Sequence, residues 1–289
     1  MNQFVQQAAN GLLLGSIYSL IALGLSMIFG MMNIVNVAHG DFYMLGALVA
    51  YYTVASFHLP YAVAVVASVA VVGALGAAIE RGILRRVRES AMVTTMLITL
   101  GLSLLLQNFS LMATGGVPHF IRSPFSPEPL VLGLVHVAPA RLFAAVFSIL
   151  FIIAVHLFLT RTKWGNAMRA CFQDKTAASL AAGIDIEKVY ALTFALGVGM
   201  AALAGTLLGT IFFVDPMMGA KGMTKSFVVV IVGGMGSFVG AIFSGLLLGV
   251  TETLAAAYLS SGYKDVVGFI LVVLVLTFRP AGLFGKRIR

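Results

Sequence analysis

In a chain that is 60% hydrophobic and only 10% charged, few residues can do chemistry. Those lying within or beside apolar runs are His39, Asp41, Asp215, Lys221 and Glu252. Each would cost several kcal/mol if it faced lipid, so a place inside a helix bundle or along a solute path is the default. Asp41 also reads as the N-cap of the helix it opens, and Asp215 as a cap with Pro216 at the first helical position. Glu252 stands in the middle of the run 241–259 and cannot be a cap. It either contacts substrate or a gate, or is a buried structural glutamate that is hydrogen-bonded or protonated. Asn33, Asn36 and His39 offer amide and imidazole groups to a small polar solute, or else satisfy carbonyls freed at a helix break.

Other chemistries find no support. No second histidine or carboxylate stands at ligand spacing, so no metal is implied. Residues 219–226 have the look of a phosphate-binding loop, but Thr224 occupies the place of the glycine that should precede the lysine. No nucleotide site or other cofactor is therefore expected, and ATP, if used, must be hydrolysed by another chain.

The elements that hold these residues must be transmembrane helices, because a soluble domain carries roughly 25% charged residues. The expected class is an all-α polytopic integral membrane protein, one permease domain over 1–289. Spans are expected at 9–30, 41–57, 61–79, 92–113, 142–160 and 191–213. A polar turn at 31–40 joins the first two. Residues 114–141 hold five of the eight prolines and cannot form a regular span. Residues 215–225 read as a polar break. The run 226–259 would be about 51 Å long as one helix, against about 30 Å of hydrocarbon, so Gly233, Gly234, Gly236 and Gly240 are expected to break it. A last span, 266–278, gives eight transmembrane segments, or nine with that break. The segments 9–57 and 191–240 share an order of span, polar break and span from opposite faces, which admits an inverted repeat.

Of the 18 Lys and Arg residues, 80–89 holds four, 161–188 five and 279–289 four, leaving five elsewhere. With those three segments in the cytoplasm the bias is positive-inside, and the net charge of +8 needs no nucleic-acid partner. The N-terminal MNQFVQQAAN has no basic region, so the first apolar run is expected to remain as a helix. The single cysteine, Cys171, reads as a small filler.

The longest cytoplasmic interruption, 161–190, holds one more element. Asp174 is a good N-cap, 175–182 are good helix formers, and Gly183 falls where helices end in a left-handed residue. At roughly 12 Å that helix is too short to cross a bilayer. It lies in the headgroups or docks on a protein.

The order Arg169-Ala170, Asp174, Ala177-Ala178-Ser179 and Gly183 resembles the cytoplasmic coupling loop of ABC-importer permeases. Ala177 and Ser179 stand where that family has a glutamate and a second alanine. Asn36-Val37-Ala38-His39-Gly40, Asp215-Pro216, and Gly233-Gly234-Met235-Gly236-Ser237 with Gly240 resemble the branched-chain amino acid permeases of the LivH type, over essentially all 289 residues. The resemblance implies a subunit of the bacterial inner membrane that works by alternating access. Its partners would be two cytoplasmic ABC ATPases, a second related permease, a periplasmic solute-binding protein and membrane lipid. Arg169, Asp174, Ala177, Ala178, Leu180 and Gly183 would then serve ATPase coupling. Gly40, Asp41, Asp215 and Pro216, with the four glycines, would shape helix breaks and packing. Two rivals remain: a permease for urea or short amides, and a secondary carrier or channel, which has no use for a coupling loop.

Overall fold

The computed structural model describes residues 2–88, 90–133, 135–174, 177–179 and 183–285. Among them, helices dominate: α1 (Asn2–Met32), α2 (His39–Ala55), α3 (Tyr61–Ile79), α4 (Met92–Thr114), α5 (Pro139–Arg161), α6 (Lys163–Gln173), α7 (Ile186–Gly209), α8 (Met218–Gly233), α9 (Phe238–Tyr258) and α10 (Lys264–Phe278). α3 continues through a π-helical turn, Glu80–Leu84, into Arg85–Val87. A small antiparallel hairpin, β1 (Leu130–Leu132) and β2 (Val135–Val137), breaks the all-helical pattern between α4 and α5.

Among the described residues, six helices are long and apolar enough to cross a membrane: α1, α3 with its extension, α4, α5, α7 and α9. The other three that the sequence suggests as spans, α2, α8 and α10, have 17, 16 and 15 residues. At 1.5 Å per residue these reach only about 22–26 Å. The run 226–259 is divided, with α8 ending at Gly233 and α9 starting at Phe238.

Local chemistry sets most boundaries. Gly115, at φ 63°, ends α4, and Pro139 starts α5. Thr162, Asp185 and Ser237 cap α6, α7 and α9, their side chains accepting from the N–H groups of Gly165, Lys188 and Gly240.

The centre of the bundle is α1 and α7, which are mostly buried, while α4 and α5 turn large apolar side chains such as Leu97, Leu105, Met112 and Leu150 outward. α1 and α7 cross where Gly24 meets Gly197: a methyl on Gly197 would lie 2.8 Å from the Gly24 carbonyl oxygen. α1 meets α9 through Gly11, Gly15, Gly245 and Gly249, and Ser19 donates to the Ile242 carbonyl at 2.8 Å. Small residues let these backbones touch where lipid supplies no hydrophobic drive.

The bundle has two distinct ends. At one, Gly30 at the close of α1 lies against Gly236, Phe172 lies beside both, and residues 279–285 fold onto the α8–α9 corner. At the other, Gln6 bonds to His136, Tyr52 to Ala113, and His119 pairs with Val214.

Candidate functional site

The loop between α5 and α7 opens with a tight turn. Gly165 sits on the backbone of Phe158 and Leu159, where a methyl would be 2.5 Å from the Leu159 Cα. α6 then buries Gly165, Met168 and Cys171, one side of an amphipathic helix that packs on α1 and α7. Cys171 is a buried filler, as expected from its isolation. Sequence reading missed α6, although that three-residue spacing was its signal.

Beyond α6, the Asp174 carboxylate accepts from the Ala177 N–H at 3.0 Å, the cap expected of it. Residues 177–179 are helical, with Ala178 buried and Ala177 and Ser179 exposed. Gly183 is left-handed at φ 60°. Its N–H bonds to the Ser179 carbonyl at 3.1 Å, and the Ile184 N–H bonds to that of Ala178 at 3.2 Å. Leu180 and the rest of the expected helix over 175–182 lie outside the described residues. Arg169 is exposed and donates to Asn166 at 2.6 Å. Asp185, capping α7, pairs with Lys188 at 2.9 Å, and those Lys188 bonds hold its carboxyl below the ordinary range.

The three polar residues of the α1–α2 break do not form one group. Asn33 is exposed, left-handed at φ 55°. Asn36 and His39 are wholly buried. His39 Nε2 donates to the Ile21 carbonyl at 2.9 Å, while His39 Nδ1 and both Asn36 amide atoms have no hydrogen-bond partner among the described residues. Thr99 of α4 clamps the break instead, accepting from the Val37 N–H and donating to the Val35 carbonyl, both at 3.2 Å.

Two capping expectations are corrected. α2 starts at His39 with Ala38 at the cap position, so Asp41 lies inside the first turn. Its carboxylate accepts from Gln107 at 3.1 Å, and Gln107 also donates to Ser103, so Asp41 ties α2 to α4. Gly40 beside it packs backbone to backbone on Gly219 of α8. α8 starts at Met218, two residues after Pro216, and the Asp215 side chain accepts from the Met217 N–H at 2.8 Å in a turn before the helix. Residues 218–225, expected as a polar break, are therefore helical.

At the α8–α9 corner, Gly234 and Gly236 adopt φ 97° and 80°, and Gly233 packs on Gly240. The tail holds the corner through Leu283 N–H to the Val232 carbonyl at 2.9 Å and Phe284 N–H to that of Gly233 at 3.1 Å.

Glu252 is buried and paired with Lys225, a residue that sequence reading did not single out. Lys225 also donates to Asp265 at 2.6 Å and lies 5.9 Å from the centre of the Tyr18 ring. Glu252 thus has a hydrogen-bonded cationic partner inside the bundle. Two surface clefts, about 450 and 220 Å³, lie at the other end from the loop between α5 and α7, both lined by Phe120 and Arg122, and neither reaches Asn36, His39 or Glu252.

Long apolar helices packed through glycines, with buried polar breaks, define a multi-pass membrane protein. The family described as Branched-chain amino acid transport system / permease component matches residues 7–276, and the chain belongs to it. It is 36% identical to the high-affinity branched-chain amino acid transport system permease protein LivH of Escherichia coli K12, over 98% of this chain and 96% of that one. It is 34% identical, with the same coverage, to BraD of Pseudomonas aeruginosa, and 27% identical over 92% of the chain and 88% of the relative to the probable LivH of Methanocaldococcus jannaschii. The protein is accordingly the permease component of an ABC transport system, and ATP hydrolysis is not its own task.

Proposed function

We propose that this chain carries branched-chain amino acids across the bacterial inner membrane as one of two permease subunits. A periplasmic binding protein delivers the solute, and two cytoplasmic ATPases drive alternating access. The observation that carries the reading is the segment between α6 and the spanning helix α7, where Asp174 caps helical residues 177–179, Ala177 and Ser179 are exposed and Gly183 is left-handed.

Nine membrane passes follow, with α2, α8 and α10 included and the start of α1 outside. Short α2 and α8 complete their crossings through the non-helical segments 33–38 and 210–217. An inverted repeat of α1–α4 with α7–α10 is supported by the packing. α3 lies on α7 as α9 lies on α1, α2 on α7 as α8 on α1, and α4 on α2 as α10 on α8, while α1 with α7 and α2 with α8 meet across the axis.

The test is copurification of the ATPases with tagged permease, normalised to permease in the membrane, alongside uptake. Gly183→Val forces a branched residue into a left-handed site, so it should insert normally but lose ATPase and uptake. Normal copurification and uptake would make the loop a passive connector. In the reconstituted complex, leucine-loaded binding protein should stimulate ATP hydrolysis and urea-loaded protein should not; the reverse would assign an amide substrate. Cysteines at Ser90 and Asn166 should be shielded from an impermeant external reagent, and one at Ser126 should react.

A further inference from the structure

At the coupling-loop end, four charged residues meet where α3 passes the start of α7. Glu187 lies in the first turn of α7, two residues beyond the Asp185 cap; it accepts a hydrogen bond from Arg88 Nη2, and Arg85 Nε stands 2.6 Å from its other oxygen as an ion pair. Glu80, wholly buried, has only Arg88 Nη1 at 3.6 Å, and neither of its oxygens has a hydrogen-bond partner among the described residues. Arg88, 12% exposed, also lies over the Tyr190 ring at 4.9 Å, one turn further along α7.

The π turn is what makes Glu80 and Arg88 neighbours. Eight residues of regular α-helix are about 2.2 turns, which would leave the two side chains about 80° apart. The extra residue accommodated by the Glu80–Leu84 turn brings the spacing close to two turns, so both point at α7.

The sharing is lopsided: one carboxylate has two cations and the buried one has less than one. A buried acid without hydrogen bonds is costly. Moving the planar guanidinium by about 0.8 Å would give Glu80 a charge-assisted bond, while Arg85 would still neutralise Glu187. Arg88 hydrogen-bonds one carboxylate before and one after, so the two arrangements differ in which acid it serves, the kind of discrete alternative that switching elements use.

We propose that Arg88 is a positioning residue that exchanges carboxylates, from Glu187 to Glu80, when the coupling loop moves α7, and so carries that movement into α3. The proposal rests on the reading of 174–185 as the ATPase-contacting loop. The exchange leaves every covalent bond and proton in place.

The experiment uses the full importer in proteoliposomes, with its ATPases and binding protein, and reads leucine uptake per ATP hydrolysed for Glu80→Gln and Glu187→Gln. Both should copurify with ATPase like the wild type and hydrolyse ATP, yet lose about fivefold or more in uptake per ATP, the range of ordinary coupling energies. The melting temperature of Glu80→Gln should hold or rise, since a neutral amide replaces an underserved buried charge. Unchanged uptake per ATP in both variants would make the cluster a static tie. An effect in Glu187→Gln alone would remove Glu80 as acceptor, and loss of ATPase copurification in Glu187→Gln would make that residue part of the docking surface; either overturns the exchange. Failure of the loop reading shows separately, as normal ATPase copurification in Gly183→Val.

Discussion

Two charged clusters stand at opposite ends of the bundle and are made from nearly matching parts. At the end that carries the loop between α5 and α7, Glu80 is buried beside Arg88, which lies over Tyr190 and is shared with a second acid, Glu187. At the far end, Glu252 is buried beside Lys225, which lies near Tyr18 and is shared with Asp265. Under the proposed inverted repeat α3 answers to α9 and α7 to α1, and the spacing from Glu80 to Glu252 equals that from Tyr18 to Tyr190. The difference lies in the cation and in what borders the second acid. Lys225 is a point charge from a third helix, α8, and reaches both carboxylates at bonding distance. That closes α8, α9 and α10 into a tie. Arg88 offers a five-donor fork, serves one acid well and the other poorly, and its better partner follows a loop. Similar parts thus make a fixed joint at one end and an exchangeable one at the other.

The largest effects should come from removing the cations. Lys225→Met leaves Glu252 and Asp265 facing each other with Glu252 buried, and Arg88→Met strands Glu80. Breaking a buried pair from one side costs about 3–5 kcal/mol, so both variants should melt well below the wild type in detergent. A near-normal melt for Lys225→Met would mean that the far cluster ties nothing together.

Smaller, and sharper for the comparison, are the neutral carboxamides. Glu252→Gln gives up a charge-assisted bond to Lys225 and should lose about 1.5–3 kcal/mol, with uptake per ATP kept. Glu80→Gln has no hydrogen bond to lose and should stay within about 1 kcal/mol of the wild type. Thermal unfolding of the two side by side decides it: equal losses would erase the distinction between tie and switch.

What could be read in the sequence was local. Apolar runs placed the long helices, glycines placed the α8–α9 corner, and Asp174 and Gly183 marked the ends of a turn whose caps act over three or four residues. Asp41 was misread because an acid at the head of an apolar run has the same local pattern as a cap, and its real partner, Gln107, is 66 residues away. Lys225 meets Glu252 across 27 residues and Arg88 meets Glu187 across 99, and no periodicity announces either. Residues 218–225 read as part of a polar break, and Gly219 and Gly222 among them are poor helix formers. Packed against Asp41 and Tyr43, where only glycine fits, they hold a helix that propensity alone would not.

The smallest effect tests where the freedom of the Glu187 end begins. Thr162 caps α6 by accepting from the Gly165 N–H at 3.0 Å, and it donates to the Phe158 carbonyl at 2.7 Å. Thr162→Ala should cost about 1 kcal/mol, read as faster amide exchange near Gly165. Uptake per ATP should nevertheless be unchanged, because α6 is still held by Met168 and Cys171, both buried against the bundle. On this view α6 is fixed and motion starts beyond Asp174, so loosening the cap neither adds to nor removes the movement that reaches Glu187. If Thr162→Ala instead lowers uptake per ATP as far as Glu187→Gln does, the moving body includes α6. The exchangeable joint would then belong to the whole segment from α5 to α7 rather than to the turn next to Arg88.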